Sequence, residues 1–144
     1  MQKGNPPKRL RKPQTQSRPG RESAMKPQPV YEYSGTKGSG KLKNKVALIS
    51  GGDSGIGRAV AALFAREGAD VVIAYLNEHR DANETKRIVE EYGRTCLLIP
   101  GDLSREKHAV SVVRKTMKVF GKIDILINNA ALHYENSSLT QLPS

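Results

Sequence analysis

The stretch "SGGDSGIGRAV", Ser50 to Val60, places four glycines within eight residues, directly after the apolar run "VALIS" and directly before alanines at helical spacing. A glycine turn between a strand and a helix brings backbone N–H groups and the positive end of the helix dipole to the edge of a sheet. That combination suits a phosphate or pyrophosphate. In such a turn Gly51 permits the tight bend, Gly55 the close approach of a ligand, and Gly57 the contact of helix with strand. The spacing Gly51-xxx-Gly55-x-Gly57 departs from the commoner G-x-G-x-x-G and gains selectivity from the strand before it and the helix after it.

On either side of this turn the elements alternate. "KVALIS" predicts a buried strand and residues 56–67 a helix, with Ala59, Val60, Leu63 and Phe64 on one face and Gly68 as its stop. "DVVIAYL" predicts a second strand. Residues 81–92 read as a charged helix, with Asp81 and Glu84 spaced like a capping box and Ile88 and Tyr92 facing inward. "TCLLIPGD" supplies a third strand. Ser104 is the expected cap of a third helix, with Glu106 in its first turn, Val110, Val113, Met117 and Phe120 on its apolar face, and Gly121 at its end. "IDILINNA" is a fourth strand. Such alternation implies right-handed crossovers and a parallel sheet, an α/β architecture. A doubly wound, Rossmann-type sheet has two halves, and residues 44–144 account for the first, which predicts an N-terminal portion of something longer.

Composition separates this domain from what precedes it. Residues 1–45 hold 12 Lys/Arg against only Glu22 and Glu32, whereas the rest of the chain balances 12 against 12, so the net charge of +10 belongs to the tail. Residues 1–43 also carry six of the eight prolines and few aliphatic residues, which predicts an extended or disordered basic extension. No apolar run reaches the ~18 residues of a membrane span, and no apolar segment of secretory type follows the basic N-terminus. The expectation is a soluble, cytoplasmic protein. The single cysteine, Cys96, lies in the apolar run "TCLLI" and reads as buried and inert. His79, His108 and His133 lack metal-ligand spacing, so no metal is expected.

Three motifs in register, "SGGDSGIG", "GDLS" after the third strand and "INNA" on the fourth, resemble the short-chain dehydrogenase/reductases over residues 45–131. The tail segment "QTQSRPGRESAMKPQPVY" is similar to the extension of a subgroup that includes general-stress-type oxidoreductases and homologues of glucose and ribitol dehydrogenase. The resemblance implies that Asp53, Ser54 and Ile56 line the cofactor loop beside Gly51, Gly55 and Gly57. It also implies that Asp102 and Leu103 meet the adenine, that Asn129 and Ala130 lie near the adenine ribose, and that Asn128 helps hold the sheet. Structural alternatives stand beside these roles: Asp102 can cap the following turn, and Asn128 and Asn129 can satisfy backbone at the strand end. Two departures from the family pattern are Ser50 for threonine and Ala131 for the last glycine of N-N-A-G, the latter shared by the subgroup.

The implied cofactor is NADP or NAD. An acid at the end of the second strand would accept bonds from the ribose hydroxyls and repel a 2′-phosphate. Here that place reads Tyr75-Leu76-Asn77, the nearest acid is Glu78, and Arg58 and Arg80 are candidates to face a phosphate, so the reading leans to NADP with Tyr75 counted in the site. The family's chemistry is hydride transfer to or from an alcohol or carbonyl, with a Tyr-xxx-Lys pair as the acid/base unit. Tyr33-Ser-Gly-Thr-Lys37 has that spacing but precedes the first strand, and "GTKGSGKL", residues 35–42, imitates a nucleotide P-loop without the strand before it. No catalytic residue is carried over; all are expected beyond Ser144, leaving this chain inactive alone. Expected partners are the nicotinamide dinucleotide, a small substrate in the full-length form, and further copies of the chain, with neither membrane nor nucleic acid. The alternative is a non-catalytic nucleotide-binding module whose basic arm contacts nucleic acid or another anion.

Overall fold

A computed structural model of the chain describes residues 37–131, together with Thr15 and residues 24–27. The elements follow in the order β1 (Val46–Ser50), α1 (Gly55–Arg66), β2 (Asp70–Tyr75), α2 (His79–Glu91), β3 (Cys96–Pro100), α3 (Glu106–Phe120) and β4 (Ile125–Asn128). The strands form one parallel sheet in the order β3-β2-β1-β4. The alternation read from the sequence is therefore the alternation of the fold. Most of the expected disordered extension, Tyr33 of the Tyr-xxx-Lys spacing and the tail resemblance lie outside the described residues.

Because successive side chains of a strand point to opposite faces, each strand feeds two cores. On one face Ile49, Val71 and Ile73 meet Ala61 and Ala65 of α1 and Ala82 and Val89 of α2, with Tyr75 and Cys96 in the same cluster. On the other, Val46, Leu48, Val72, Ala74 and Ile99 meet Val112 of α3. Burial on both faces explains why β1 and β2 read as continuous apolar runs rather than alternating ones. Residues 39–45 are tied to the end of α1: the Glu67 carboxylate accepts bonds from the Ser39 N–H and Oγ and from the Lys41 N–H, and the Leu42 N–H donates to the Glu67 carbonyl. The described part of the P-loop look-alike, residues 37–42, is thus a docked linker, with Gly38 against the Arg66 carbonyl.

The helix faces differ from the sequence reading in three places. In α1 the buried positions are Gly57, Arg58, Ala61, Ala62 and Ala65, while Leu63 is turned outward. Small residues win that face because they let the helix axis approach the sheet, leaving the bulkier Val60 and Phe64 to flank it. Helix α2 begins at His79, two residues before the expected start, and Asp81 is not a cap but a buried residue beside Arg58. In α3 the buried residues are Val112 and Thr116, whereas Val110, Val113 and Met117 are exposed. Periodicity identifies an apolar stripe without stating what covers it, and among the described residues nothing covers this one. Nor does Ser104 cap α3: its N–H donates to the Asp102 carboxylate at 2.9 Å, and the capping position falls to Arg105.

Candidate dinucleotide site

In the sheet order, β1 is flanked by the strand that follows it and by the last strand, so the chain reverses its direction of travel across the sheet at β1 and β4. At such a switch point the loops leaving the carboxyl ends of adjacent strands diverge and open a crevice. The turn after β1 and the segment after β4 meet there. A Cβ on Gly51, whose φ is +63°, would lie 3.1 Å from the Ala130 Cα and 3.1 Å from the Asn129 Nδ2.

The three glycines of the spacing divide the work by geometry. Gly57 faces inward, where a Cβ would sit 2.0 Å from the Gly51 carbonyl oxygen; α1 and the turn touch without any side chain between them. Gly55 faces outward at φ +52°, and a Cβ there would have no neighbour within 4 Å. Ser54 occupies the N-cap of α1 but forms no side-chain cap bond, so the dipole end of this helix opens on the same crevice. Ile56, 76% exposed, stands at its rim.

Hydrogen bonds hold the two sides of the crevice together. The Ser50 Oγ accepts from the Asn129 and Ala130 N–H groups, both at 3.0 Å, and donates to the Ile127 carbonyl at 3.3 Å. The Asn129 Nδ2 donates to the carbonyls of Ser50 (3.2 Å) and Gly51 (2.9 Å). The sheet-holding part expected of Asn128 therefore belongs to Asn129, while Asn128 ends the β1–β4 register opposite Ser50 with its side chain exposed. The backbone-satisfying alternative for Asn129 is the observed one, and the serine at position 50 keeps the hydroxyl on which the junction depends.

A second clamp fastens the turn to α2, and the sequence reading missed it. Arg58 is buried; its Nε donates to the Thr85 Oγ1 at 2.9 Å and its Nη2 to the carbonyls of Asp53 (2.7 Å) and Asp81 (3.1 Å). Thr85 lies 2.9 Å from the same Asp53 carbonyl. An arginine committed in this way is not placed to receive a 2′-phosphate, which removes one of the two side chains on which the lean to NADP rested. The buried Thr85, four residues after Asp81 on one face of α2, was the only available signal in the sequence.

The remaining expected residues are dispersed along the carboxyl edge. Asp53 is buried in the turn, and that burial, reinforced by Glu78 and Asp81, raises its carboxyl above the ordinary range. Tyr75 is buried too, its hydroxyl 2.8 Å from the His79 Nδ1, so its side chain serves the core rather than an open surface. Asp102 is held below the ordinary range by the bonds it accepts from Ser104, with Arg105 3.5 Å away, and Leu103 rests against the α3-side core. These two stand beyond β2, yet the Gly51 N–H to Ala74 and Gly101 N–H to Tyr75 bonds start the turns after β1 and β3 at one level of the sheet.

An open parallel sheet with a glycine turn opening on its switch point defines a dinucleotide-binding α/β protein. Comparison with known proteins narrows the class: the family model described as short chain dehydrogenase matches residues 45–143, and the chain belongs to that family. It is 55% identical to general stress protein 39 of Bacillus subtilis over 91% of this chain and 46% of the relative. It is 42% identical to the glucose and ribitol dehydrogenase homolog of Oryza sativa over 90% and 46%. Among solved structures it resembles carveol dehydrogenase from Mycobacterium avium in complex with NAD (TM-score 0.67, 27% identity, 73% of this chain and 42% of that one). It also resembles a short chain dehydrogenase from Burkholderia cenocepacia in complex with NADP (0.64, 35%, 71% and 41%). The chain spans about half the length of the curated relatives it matches.

Proposed function

We propose that this chain is the cofactor-binding half of an oxidoreductase that moves hydride between NAD(P) and an alcohol or carbonyl, sugar-like substrates included. The observation that carries the reading is the pairing of Gly57, closed against the turn, with Gly55, open above it: the space a Cβ would fill at Gly55 is the cradle a pyrophosphate needs. When bound, the nicotinamide would supply the hydride acceptor or donor. This chain's residues bind and orient. The first turn of α1 faces the phosphates, Asp53 and Ser54 border the ribose side with the main chain of Tyr75, Asn129 and Ala130 set the width of the crevice, and Asp102 and Leu103 bound its adenine end.

The acid/base pair is assigned to sequence other than these 144 residues, so the isolated chain binds cofactor without turning over substrate. The full-length form is assigned a homo-oligomeric state in the cytoplasm. The exposed face of α3 supports burial against further protein, and no helix among the described residues is long and apolar enough to cross a membrane. With Arg58 committed elsewhere, the lean to NADP rests on Arg80 alone. The non-catalytic module with a nucleic-acid-binding arm gains no support from the family or the fold.

Calorimetric titration of the folded chain with NADH and NADPH tests the proposal. Binding of at least one dinucleotide, reduced tenfold or more by Gly55→Val with the circular dichroism spectrum retained, is expected. Binding of neither, or equal binding by the variant, refutes it.

A further inference from the structure

A guanidinium kept in a helix interface is ordinarily paired with a carboxylate, because burying an unpaired charge is costly. Arg58, 5% exposed between α1 and α2, departs from that pattern: the Asp81 carboxylate stands 3.9 Å away. Closer bonds run to neutral acceptors, the Asp53 carbonyl at 2.7 Å, the Thr85 Oγ1 at 2.9 Å and the Asp81 carbonyl at 3.1 Å. The fully buried Thr85 hydroxyl, which accepts from the Arg58 Nε, lies 2.9 Å from the Asp53 carbonyl and 3.2 Å from that of Asp81. Two donors from two helices therefore converge on one backbone oxygen of the glycine turn.

That oxygen belongs to the part of the turn least able to hold itself. Between Gly51 and Gly55 only Asp53 and Ser54 carry side chains, and glycine leaves a backbone its widest freedom. Ser54 adopts an extended conformation (φ −151°, ψ 174°) and makes no side-chain cap bond. A trans peptide holds its carbonyl and its N–H on opposite sides. With the Asp53 carbonyl drawn toward α2, the Ser54 N–H of the same peptide points away from α2, and it has no acceptor among the described residues. We infer that Arg58 and Thr85 are positioning residues for the cofactor phosphates: by gripping the Asp53 carbonyl they set the Ser54 N–H, beside the first turn of α1, as a donor in place before the ligand arrives. This rests on the dinucleotide reading given above.

Packing alone does not call for this arrangement. Apolar side chains of similar volume would join α1 to α2 at least as well as a buried arginine on a threonine hydroxyl. They would leave the Asp53–Ser54 peptide free to turn over, and a donor that must be ordered on binding contributes less affinity than one already fixed.

The test uses the whole chain. Thr85→Val keeps the shape and removes the hydroxyl, Thr85→Ser keeps the hydroxyl, and Arg58→Lys keeps the charge and loses the fork. Each is titrated calorimetrically with whichever of NADH and NADPH wild type binds more tightly, and affinity is compared at full stoichiometry so that only folded chains count. Thr85→Val and Arg58→Lys are expected to bind tenfold or more weakly, and Thr85→Ser within about twofold of wild type. In heteronuclear NMR spectra the Ser54 amide resonance should move on saturation of wild type and move by less than half as much in Thr85→Val, with the Gly93 amide still in both. If Arg58→Lys does not fold, the Thr85 pair decides. Thr85→Val binding as wild type does, however far its urea midpoint falls, overturns the inference while leaving the dinucleotide site intact. So does a Thr85→Ser loss equal to that of Thr85→Val, or a Ser54 amide unmoved in wild type. Binding of neither dinucleotide by wild type overturns both.

Discussion

Gly57→Ala offers the sharpest test of how the turn is built, because its cost follows from a single distance. The new methyl would stand 2.0 Å from the Gly51 carbonyl oxygen and 2.8 Å from the Asn129 Nδ2, against an ordinary contact of 3.4 Å or more. Neither neighbour can swing aside: one is backbone, and the other is the amide that bonds Gly51 at 2.9 Å. Helix α1 must lift from the turn by more than an ångström. Forcing extra volume into a closed contact costs about 1–3 kcal/mol, and losing a hydrogen bond at the junction adds about 0.5–1.5. In a domain of this size that lowers Tm by roughly 10 °C or more. Gly55→Ala and Gly93→Ala are the controls. Both glycines have positive φ (+52° and +69°) and both would place a Cβ in open space. Each should therefore lose only the left-handed penalty of about 1–2 kcal/mol. The three variants are compared by thermal denaturation followed by circular dichroism, then by dinucleotide titration. The expected order of stability is Gly57→Ala well below the other two, with cofactor affinity lost in Gly55→Ala and kept in Gly93→Ala. The reasoning fails if Gly57→Ala melts with the controls, or if Gly93→Ala harms binding as much as Gly55→Ala.

Burial pushes the Cys96 thiol up to about 12. Only the thiolate reacts, so labelling of the native chain by a disulfide reagent at pH 8 should run at least about 100-fold slower than in denaturant; equal rates would show that β3 is not packed as described. The Asp124 carboxylate accepts the Val46 N–H at 2.9 Å and approaches Lys45 and Lys122, and these contacts hold its carboxyl below the ordinary value. Its contribution to stability is then present above the unfolded-state value near 3.8 and is lost as pH falls through the lower folded one. Asp124→Asn should have a lower urea midpoint than wild type at pH 6, with the gap closing toward pH 3; a gap that stays constant would place the effect in shape rather than charge.

What the sequence could disclose follows from which interactions are local. The strand–helix alternation and the glycine turn were legible because β1, β2 and α1 carry their own signals, an apolar run, a fixed glycine spacing and a stop at Gly68. The position of Asp53 was not, because it depends on the left-handed bends at Gly51 and Gly55 and on Thr85 of α2, 27 residues after Arg58, against which that arginine is buried. Asp81 and Ser104 looked like caps for a related reason. Short polar side chains near a helix start compete for the same N–H groups, and the winner is set by where the preceding strand delivers the chain. After β3 the left-handed Gly101 (φ +141°) seats the chain against His108, and Asp102 rather than Ser104 takes the bond.

The direction in which each carboxylate is displaced separates scaffold from site. Glu67, Glu84, Asp102 and Asp124 are all held below their ordinary values, and each is bonded to a neighbour that fixes a linker, a helix turn, a loop or a strand start. Folding favours their ionised forms, as expected where charge is used to build. Asp53 moves the other way, in the turn whose glycines already hold the backbone at positive φ for the sake of an open cradle. A chain under selection for stability alone would place an asparagine or serine there, since either could sit in the turn without a charge. The carboxylate accepts from the Ser54 Oγ at 3.4 Å, and a buried arginine and a buried threonine anchor the backbone carbonyl of the same residue, which fixes the turn against α2. On this argument the corner between the turn and α2 belongs with the proposed dinucleotide site rather than with the scaffold.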